Sequence, residues 1–213
     1  MKIGIIVAMD KEYRQLRSLF PEDRVILQKS GIGKVNAALQ AQEMIRQYRP
    51  DCIVSSGCAG GNGDDVNVQD VVVSTELAYH DVYCGTAIGN SVYGQVQGLP
   101  PRFPADPYLL EKAQKLVHLS PKIHPGLIVT GDWFVDSKEK MREIVGHFPE
   151  AKAVDMESAA IAQACYINKV PFISFRVISD IPLRDTDASM YHNFWDTIAD
   201  NSFHVTKTFI ESL

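Results

Sequence analysis

A chain of 213 residues with 46% apolar content holds enough hydrophobic material for one sizeable α/β core. Its formal charge of −5 comes with no basic block or Lys/Arg stripe, which argues against nucleic acid as the main partner, and no apolar run reaches the length of a membrane span. Cys52, Cys58, Cys84 and Cys165 show neither CxxC nor Cys/His metal spacing, so they are expected to be reduced core thiols of a cytoplasmic protein.

Residues 3–8 predict a buried strand, interrupted too soon by Asp10-Lys11-Glu12 to be a signal peptide. Asp10 can cap a helix from 11 to about 20, with Tyr13, Leu16, Leu19 and Phe20 on a partial apolar face and Pro21 as its stop. A short strand at 25–28 follows. Lys29-Ser30-Gly31-Ile32-Gly33-Lys34 then leads into a helix from 35 to about 49, whose Ala38, Ala41, Met44, Ile45 and Tyr48 keep the helical period. A strand at 52–56 runs into Gly57-Cys58-Ala59-Gly60-Gly61, and the Val-rich run 66–74 predicts another. Tyr79-His80-Asp81 begins an irregular stretch that Gly85, Gly89, Gly94, Gly98 and Pro100-Pro101 prolong to about 104.

Helices are predicted at 106–119 and 137–148, with a strand at 125–130 and Gly131-Asp132-Trp133-Phe134-Val135 between them. Residues 153–155 enter Met156-Glu157-Ser158 and an Ala-rich helix reaching about 168. Asp155 can cap that helix, and Glu157 at its positive end is expected to stay ionised. A buried strand at 171–179 ends in Asp180-Ile181-Pro182. A polar loop with Arg184, Asp185 and Asp187 precedes a final helix at 190–212. Strands alternating with helices predict an α/β fold on a largely parallel sheet, with ligands gathering at the carboxyl ends of the strands.

The two glycine runs are not nucleotide fingerprints. Gly31-Ile32-Gly33-Lys34 lacks P-loop spacing and the Ser/Thr after Lys, and the run 57–61 lacks the third glycine of a dinucleotide site. Each reads either as a tight strand-to-helix turn or as a place where a small ligand lies against the backbone. Glu12, Glu157 and Asp180 all follow predicted strand ends, so one pocket could collect them. Glycosidic hydrolysis needs a base for water, a proton for the leaving group and stabilisation of positive charge at the anomeric carbon. Three acids could divide that work; their spacing alone leaves open whether they meet.

Ala8-Met9-Asp10-Lys11-Glu12, Lys29-Ser30-Gly31-Ile32-Gly33-Lys34-Val35, Ser56-Gly57-Cys58-Ala59-Gly60-Gly61, Tyr79-His80-Asp81, Thr130-Gly131-Asp132-Trp133-Phe134, Val154-Asp155-Met156-Glu157 and Arg176-Val177-Ile178-Ser179-Asp180 occur in this order. Together they resemble the nucleoside phosphorylase/hydrolase superfamily, and within it the 5′-methylthioadenosine/S-adenosylhomocysteine nucleosidases. The resemblance implies a single nucleosidase domain over 1–213, with a central mixed, largely parallel twisted β-sheet flanked by helices. It implies hydrolysis of both nucleosides to adenine and a 5-thio-ribose in salvage of adenosylmethionine by-products. No metal or cofactor, no nucleic acid and no membrane would be involved, and the state would be a cytoplasmic homodimer. The glycine-broken stretch 84–101 is either a dimer contact that reaches a neighbouring active site or a mobile surface loop.

By the same resemblance Glu12 is the base that activates water, and Asp180 the acid that protonates purine N7 and binds the exocyclic amine. Glu157 holds the ribose hydroxyls, with Met156 beneath the sugar. Ser179 orients Asp180, and Arg176 supports the carboxylates. Phe134 stacks on adenine, and backbone near Val135 reads its edge. Ser56, Cys58 and Gly60 form the base and ribose wall, and Met9, Ile32 and Tyr191 meet the ribose or the 5′-thio substituent. The residues by themselves also allow Met9, Ile32 and Phe134 as core, Arg176 as partner of a structural acid and Glu12 as a helix cap. The chain departs from the family pattern in being shorter between Phe20 and Val25, and in carrying Cys58, Trp133 and Asp155 where Ser or Ala, a smaller residue and Glu are usual. Competing readings are a purine nucleoside phosphorylase, a futalosine-type hydrolase and a non-catalytic nucleoside-binding protein.

Overall fold

Strands covered on both faces must be apolar along their whole length, and β1 (Ile3–Val7) and β8 (Phe172–Asp180) are buried at every residue. The other strands are β2 (Val25–Lys29), β3 (Cys52–Gly61), β4 (Val71–Tyr79), β5 (Phe103–Pro104), β6 (Ile123–Thr130) and β7 (Ala151–Asp155). The computed structural model describes residues 1–20, 25–85, 92–117, 120–185, 188–197 and 203–213. The sheet order is β2-β1-β3-β7-β6-β4-β5, with β8 pairing both β3 and β4. Because β3, β8, β4, β6 and β7 pair in a closed circuit, the centre of the sheet curls on itself. β3–β7, β4–β5 and β4–β8 are antiparallel and the remaining pairs parallel, so the sheet is mixed and largely parallel, as expected.

Helices α1 (Asp10–Leu19), α2 (Lys34–Tyr48), α3 (Pro107–Gln114), α4 (Lys138–His147), α5 (Ser158–Asn168), α6 (Ser189–Thr197) and α7 (His204–Glu211) surround it. One core joins Leu16 of α1 and Phe209 of α7 to Ile5, Val54 and Phe175. Another joins Ala37, Ala41 and Met44 of α2 to Ala160, Ile161 and Cys165 of α5. Small residues let those two helices approach closely. Among the described residues no helix is long and apolar enough to cross a membrane.

Several expectations are corrected. The run 57–61 is not a turn but the end of β3, and its glycines are needed by neighbours: a Cβ on Gly57 would overlap the Arg176 guanidinium and stand 2.6 Å from Glu12 Oε1. β4 starts at Val71 rather than 66, because Val66 and Asp70 close tight turns onto the carbonyls of Gly63 and Asn67. Asp10 does not cap α1. Met9 is the N-cap, its N–H donates to Glu12, and the exposed Asp10 carboxylate pairs with Lys29 at 2.7 Å. Asp106 caps α3, which ends at Gln114 rather than 119. Among the described residues the single C-terminal helix is interrupted, α7 beginning after a turn at Phe203, and 198–202 lie outside the described residues. The shortened segment 21–24, part of the stretch 84–101 (86–91) and Asp187 also lie outside them.

Candidate active site

The carboxyl ends of β1, β3, β7 and β8 converge on one cleft, of about 620 Å³ with its mouth included. Ala8, Met9, Glu12, Ile32, Cys58, Ala59, Gly60, Trp133, Phe134, Val135, Val154, Asp155, Met156, Glu157, Ser179, Asp180 and Tyr191 line it. Three acids from three strand ends thus share one cavity, the question their spacing left open. No Lys or Arg side chain occurs among these lining residues.

Glu12 sits in the first turn of α1, where one carboxylate does two things. Its Oε2 accepts the N–H groups of Ala8 and Met9, both at 2.9 Å, and its Oε1 accepts that of Cys58 at 2.9 Å. The helix cap and the candidate base are therefore the same group. Burial pushes its pKa above the ordinary value, opposed by Arg176 and by those N–H donors.

Glu157 lies at the entry of α5 but caps nothing there. Its Oε1 accepts Gly33 N–H at 3.0 Å, a donor at the start of α2. Burial raises its pKa to about 7, with Asp155 and Glu12 adding to the rise and Arg176 and Gly33 N–H opposing it, so it ionises at higher pH than an ordinary carboxylate. Helix-end electrostatics are worth too little to offset removal of a carboxylate from water. The helix start is held by Asp155, whose carboxylate accepts Ser158 N–H at 3.3 Å and also takes the Ser158 and Thr130 hydroxyls.

Asp180 accepts Ser179 Oγ–H at 2.6 Å, and Ser179 Oγ also reaches Ala59 O at 3.3 Å. Burial raises the Asp180 pKa to about 6, against the Ser179 hydrogen bond and with help from Asp185. Its carboxyl is thus poised to carry a proton closer to neutrality than an ordinary aspartate does.

Arg176 does not line the cleft. It is fully buried beneath it, with Nε on Asp155 at 2.6 Å, Nη2 on Ser55 Oγ at 2.9 Å, and Nη2 3.8 Å from Glu157 Oε2. Burial disfavours its charge, but Asp155, Glu157 and Glu12 together raise its pKa above the ordinary value. One guanidinium thus balances part of the charge of three carboxylates.

The wall and mouth divide by polarity. Cys58 is partly accessible, and burial together with Glu12 raises its thiol pKa well above the ordinary value. Phe134 and Ile32 stand half exposed at the rim, and Phe134 meets Tyr191 edge-on at 5.3 Å. The Tyr191 hydroxyl approaches Met9 Sδ at 3.8 Å. Trp133 packs edge-on against His80 at 5.3 Å. Ser56 is the misplaced residue: it is buried and bonds Thr206 Oγ1 of α7 at 3.0 Å, because α7 covers that point of β3. Sequence reading missed Ala8, Ala59, Val154 and Asp155 as lining. It also missed the long-range bond from Gly33, for which the Gly31-x-Gly33 turn was the only signal.

A sequence profile of the phosphorylase superfamily matches residues 2–211. The chain is 40% identical to a 5′-methylthioadenosine/S-adenosylhomocysteine nucleosidase from an Exiguobacterium species, over 95% of this chain and 94% of that one. Its fold matches the Neisseria meningitidis enzyme of that name, solved with methylthio-immucillin-A, at a TM-score of 0.91 and 39% identity with both chains covered completely. The Colwellia psychrerythraea enzyme, solved with adenine, matches at 0.91 and 34% identity, over 100% of this chain and 96% of that one. Alignment with a Bacillus cereus relative extends over 233 positions, so it includes positions that this 213-residue chain lacks.

Proposed function

Because the chain belongs to the 5′-methylthioadenosine/S-adenosylhomocysteine nucleosidase family within the phosphorylase superfamily, we propose that it hydrolyses the N-glycosidic bond of these two nucleosides to adenine and the corresponding 5-thio-ribose, in salvage of adenosylmethionine by-products. The observation that carries this reading is the meeting of Glu12, Glu157 and Asp180 in one cleft, with burial holding the Asp180 carboxyl near 6.

Asp180, protonated, gives its proton to purine N7. The bond between the anomeric carbon and N9 breaks, and its electron pair leaves with the base. Positive charge grows on the sugar, where the fixed carboxylates of Glu157 and Glu12 stabilise it. Glu12 takes a proton from the attacking water, whose oxygen bonds to the anomeric carbon. Glu157 accepts the ribose hydroxyls over Met156, Phe134 stacks on the base, and backbone near Val135 reads its edge. Cys58 and Gly60 bound the base and ribose. Met9, Ile32 and Tyr191 offer an apolar mouth that suits a thioether and disfavours a phosphate. Ser179 orients Asp180, and Arg176 acts from below by positioning the carboxylates.

The absence of Lys and Arg from the described cleft lining supports water over phosphate as the acceptor. The test is product analysis with methylthioadenosine, adenosylhomocysteine, deoxyadenosine, inosine and a futalosine analogue, each with and without phosphate. Adenine release from the first two, unchanged by phosphate, is the expected result. Dependence on phosphate would replace hydrolysis by phosphorolysis, and binding without release of base would replace it by storage.

The chain also acts as a homodimer in the cytoplasm on this reading. Val35 and Leu39 of α2 and Ile167 of α5 are exposed apolar residues around one shared groove, a face that a second copy would cover. Light scattering of the purified protein decides between one copy and two.

A further inference from the structure

Two motifs, Tyr79-His80-Asp81 and Thr130-Gly131-Asp132, have no part in the chemistry described above, yet both converge on the start of α2. Gly33, the N-cap, has no side chain to satisfy the first N–H groups of that helix, and φ of +95° suits it to glycine. Carboxylates from distant parts of the chain take over. Asp132 Oδ1 accepts Lys34 N–H at 2.8 Å, and Glu157 Oε1 accepts Gly33 N–H at 3.0 Å. A Cβ on Gly33 would stand 3.0 Å from Asp132 Oδ1, so the turn and that carboxylate are in close contact.

Lys34 occupies the first helical position, where a cation is electrostatically unfavourable. Its ammonium is committed elsewhere. Nζ lies 2.7 Å from each carboxylate oxygen of Asp81 and 3.8 Å from Asp132 Oδ2. Asp81 Oδ2 in turn accepts Asp132 N–H at 2.8 Å. The Asp81 side chain is mostly buried and Lys34 is partly so, which strengthens the pair relative to an exposed one. The ends of β4 and β6 are thus tied to the turn before α2, and that turn supplies Glu157 with its backbone donor.

We propose that Lys34, Asp81 and Asp132 form a clamp of positioning residues that holds the turn at 31–34 and thereby fixes Glu157 for binding the ribose hydroxyls. None of the three touches the cleft; they act through Gly33 N–H. The inference rests on the nucleoside reading of the site, and it adds a specificity element to it: the clamp sets the preference for a hydroxylated sugar.

The test compares the wild-type protein with Lys34→Met, Lys34→Arg and Asp81→Asn. Calorimetric Kd values for methylthioadenosine and its 2′-deoxy and 3′-deoxy analogues are taken in an Asp180→Asn background, which blocks turnover. Lys34→Met is expected to weaken methylthioadenosine binding about tenfold, the scale of one charge-assisted hydrogen bond. For at least one deoxy analogue the same substitution should change Kd by no more than about twofold, because the contact it disturbs is already absent. Lys34→Arg should restore most of the loss, and Asp81→Asn should resemble Lys34→Met. An equal penalty for all ligands, or failure of Arg to restore binding, overturns the clamp and leaves only a structural role. Adenine release by wild-type protein is measured separately, so a binder that does not turn over refutes the functional reading while the Kd ratios still judge the clamp. Absence of nucleoside binding overturns both.

Discussion

Replacing Arg176 by Met tests whether the floor of the site is an electrostatic device or ordinary packing. The side chain is 1% exposed and meets Asp155 at 2.6 Å, so Met keeps most of its volume and deletes its charge. Removing one partner of a buried ion pair costs about 3–5 kcal/mol. For a chain of this size that corresponds to a Tm lowered by roughly 6–20 °C. The pH dependence separates the two explanations. Arg176 opposes the burial-driven rise in the Glu12 and Glu157 pKa values, so its loss moves both further up. A carboxylate whose folded pKa lies above its unfolded one destabilises the fold as pH rises towards the folded value, by about 1.4 kcal/mol for each pH unit that separates the two. Wild-type Glu157 already stands at about 7. The charge-dependent part of the Arg176→Met deficit should therefore be absent near pH 5, where Glu157 is protonated in both proteins, and grow as pH rises from about 7 to 9. Differential scanning fluorimetry of both proteins across that range reads it directly. A deficit of the same size at every pH would refute the charge-balance reasoning and leave cavity formation as the cause.

Asp180→Asn and Glu12→Gln should each lower kcat by about 10²–10⁴-fold, as loss of a general acid or base does, with unchanged circular dichroism; near-normal adenine release from either sinks the mechanism. With Asp180 at about 6 and Glu157 at about 7, the productive form has the first protonated and the second ionised. Its population falls on the acid side as Glu157 protonates and on the alkaline side as Asp180 ionises. The kcat/KM profile should therefore be a bell centred between those two values, and a plateau through pH 9 would contradict it. Ser56→Ala should leave KM within about twofold and cost about 1 kcal/mol in urea unfolding, because Ser56 serves Thr206 rather than the cleft.

Periodicity and strand-end reasoning reached much of this architecture because burial acts on local pattern. The fully buried runs of β1 and β8 read as interior strands, and the acids just beyond strand ends fall where a cleft at the carboxyl ends of the strands can form. The end of β3 was illegible for the opposite reason. Glycine reads as a turn in isolation, and only the guanidinium and carboxylate pressing on Gly57 show that a strand requires it. Ser56 shares its face with Cys58 by strand alternation, but whether that face is open or covered depends on α7, nearly 150 residues away. The raised pKa of Glu157 was illegible because helix-end position is local, whereas Arg176, Asp155, Gly33 and Glu12, which tune it, come from distant parts of the chain. The resemblance supplied the division of roles; the residues alone supplied three acids without saying that they meet.

The glycine end of β3 also bears on how such a cleft can change over generations. Behind this wall two glycines leave their buried neighbours no room for a side chain. At Gly57 a single added carbon would run into Arg176 and Glu12, and at Gly61 one would come within 2.8 Å of Ile178. Neither position admits a side chain without a shift of its buried neighbours. At the opposite rim, Ile32 and Phe134 are half free and can be enlarged or trimmed without disturbing buried charge. Substitution is thus easiest at the mouth, where the substituent carried by the sugar would be read.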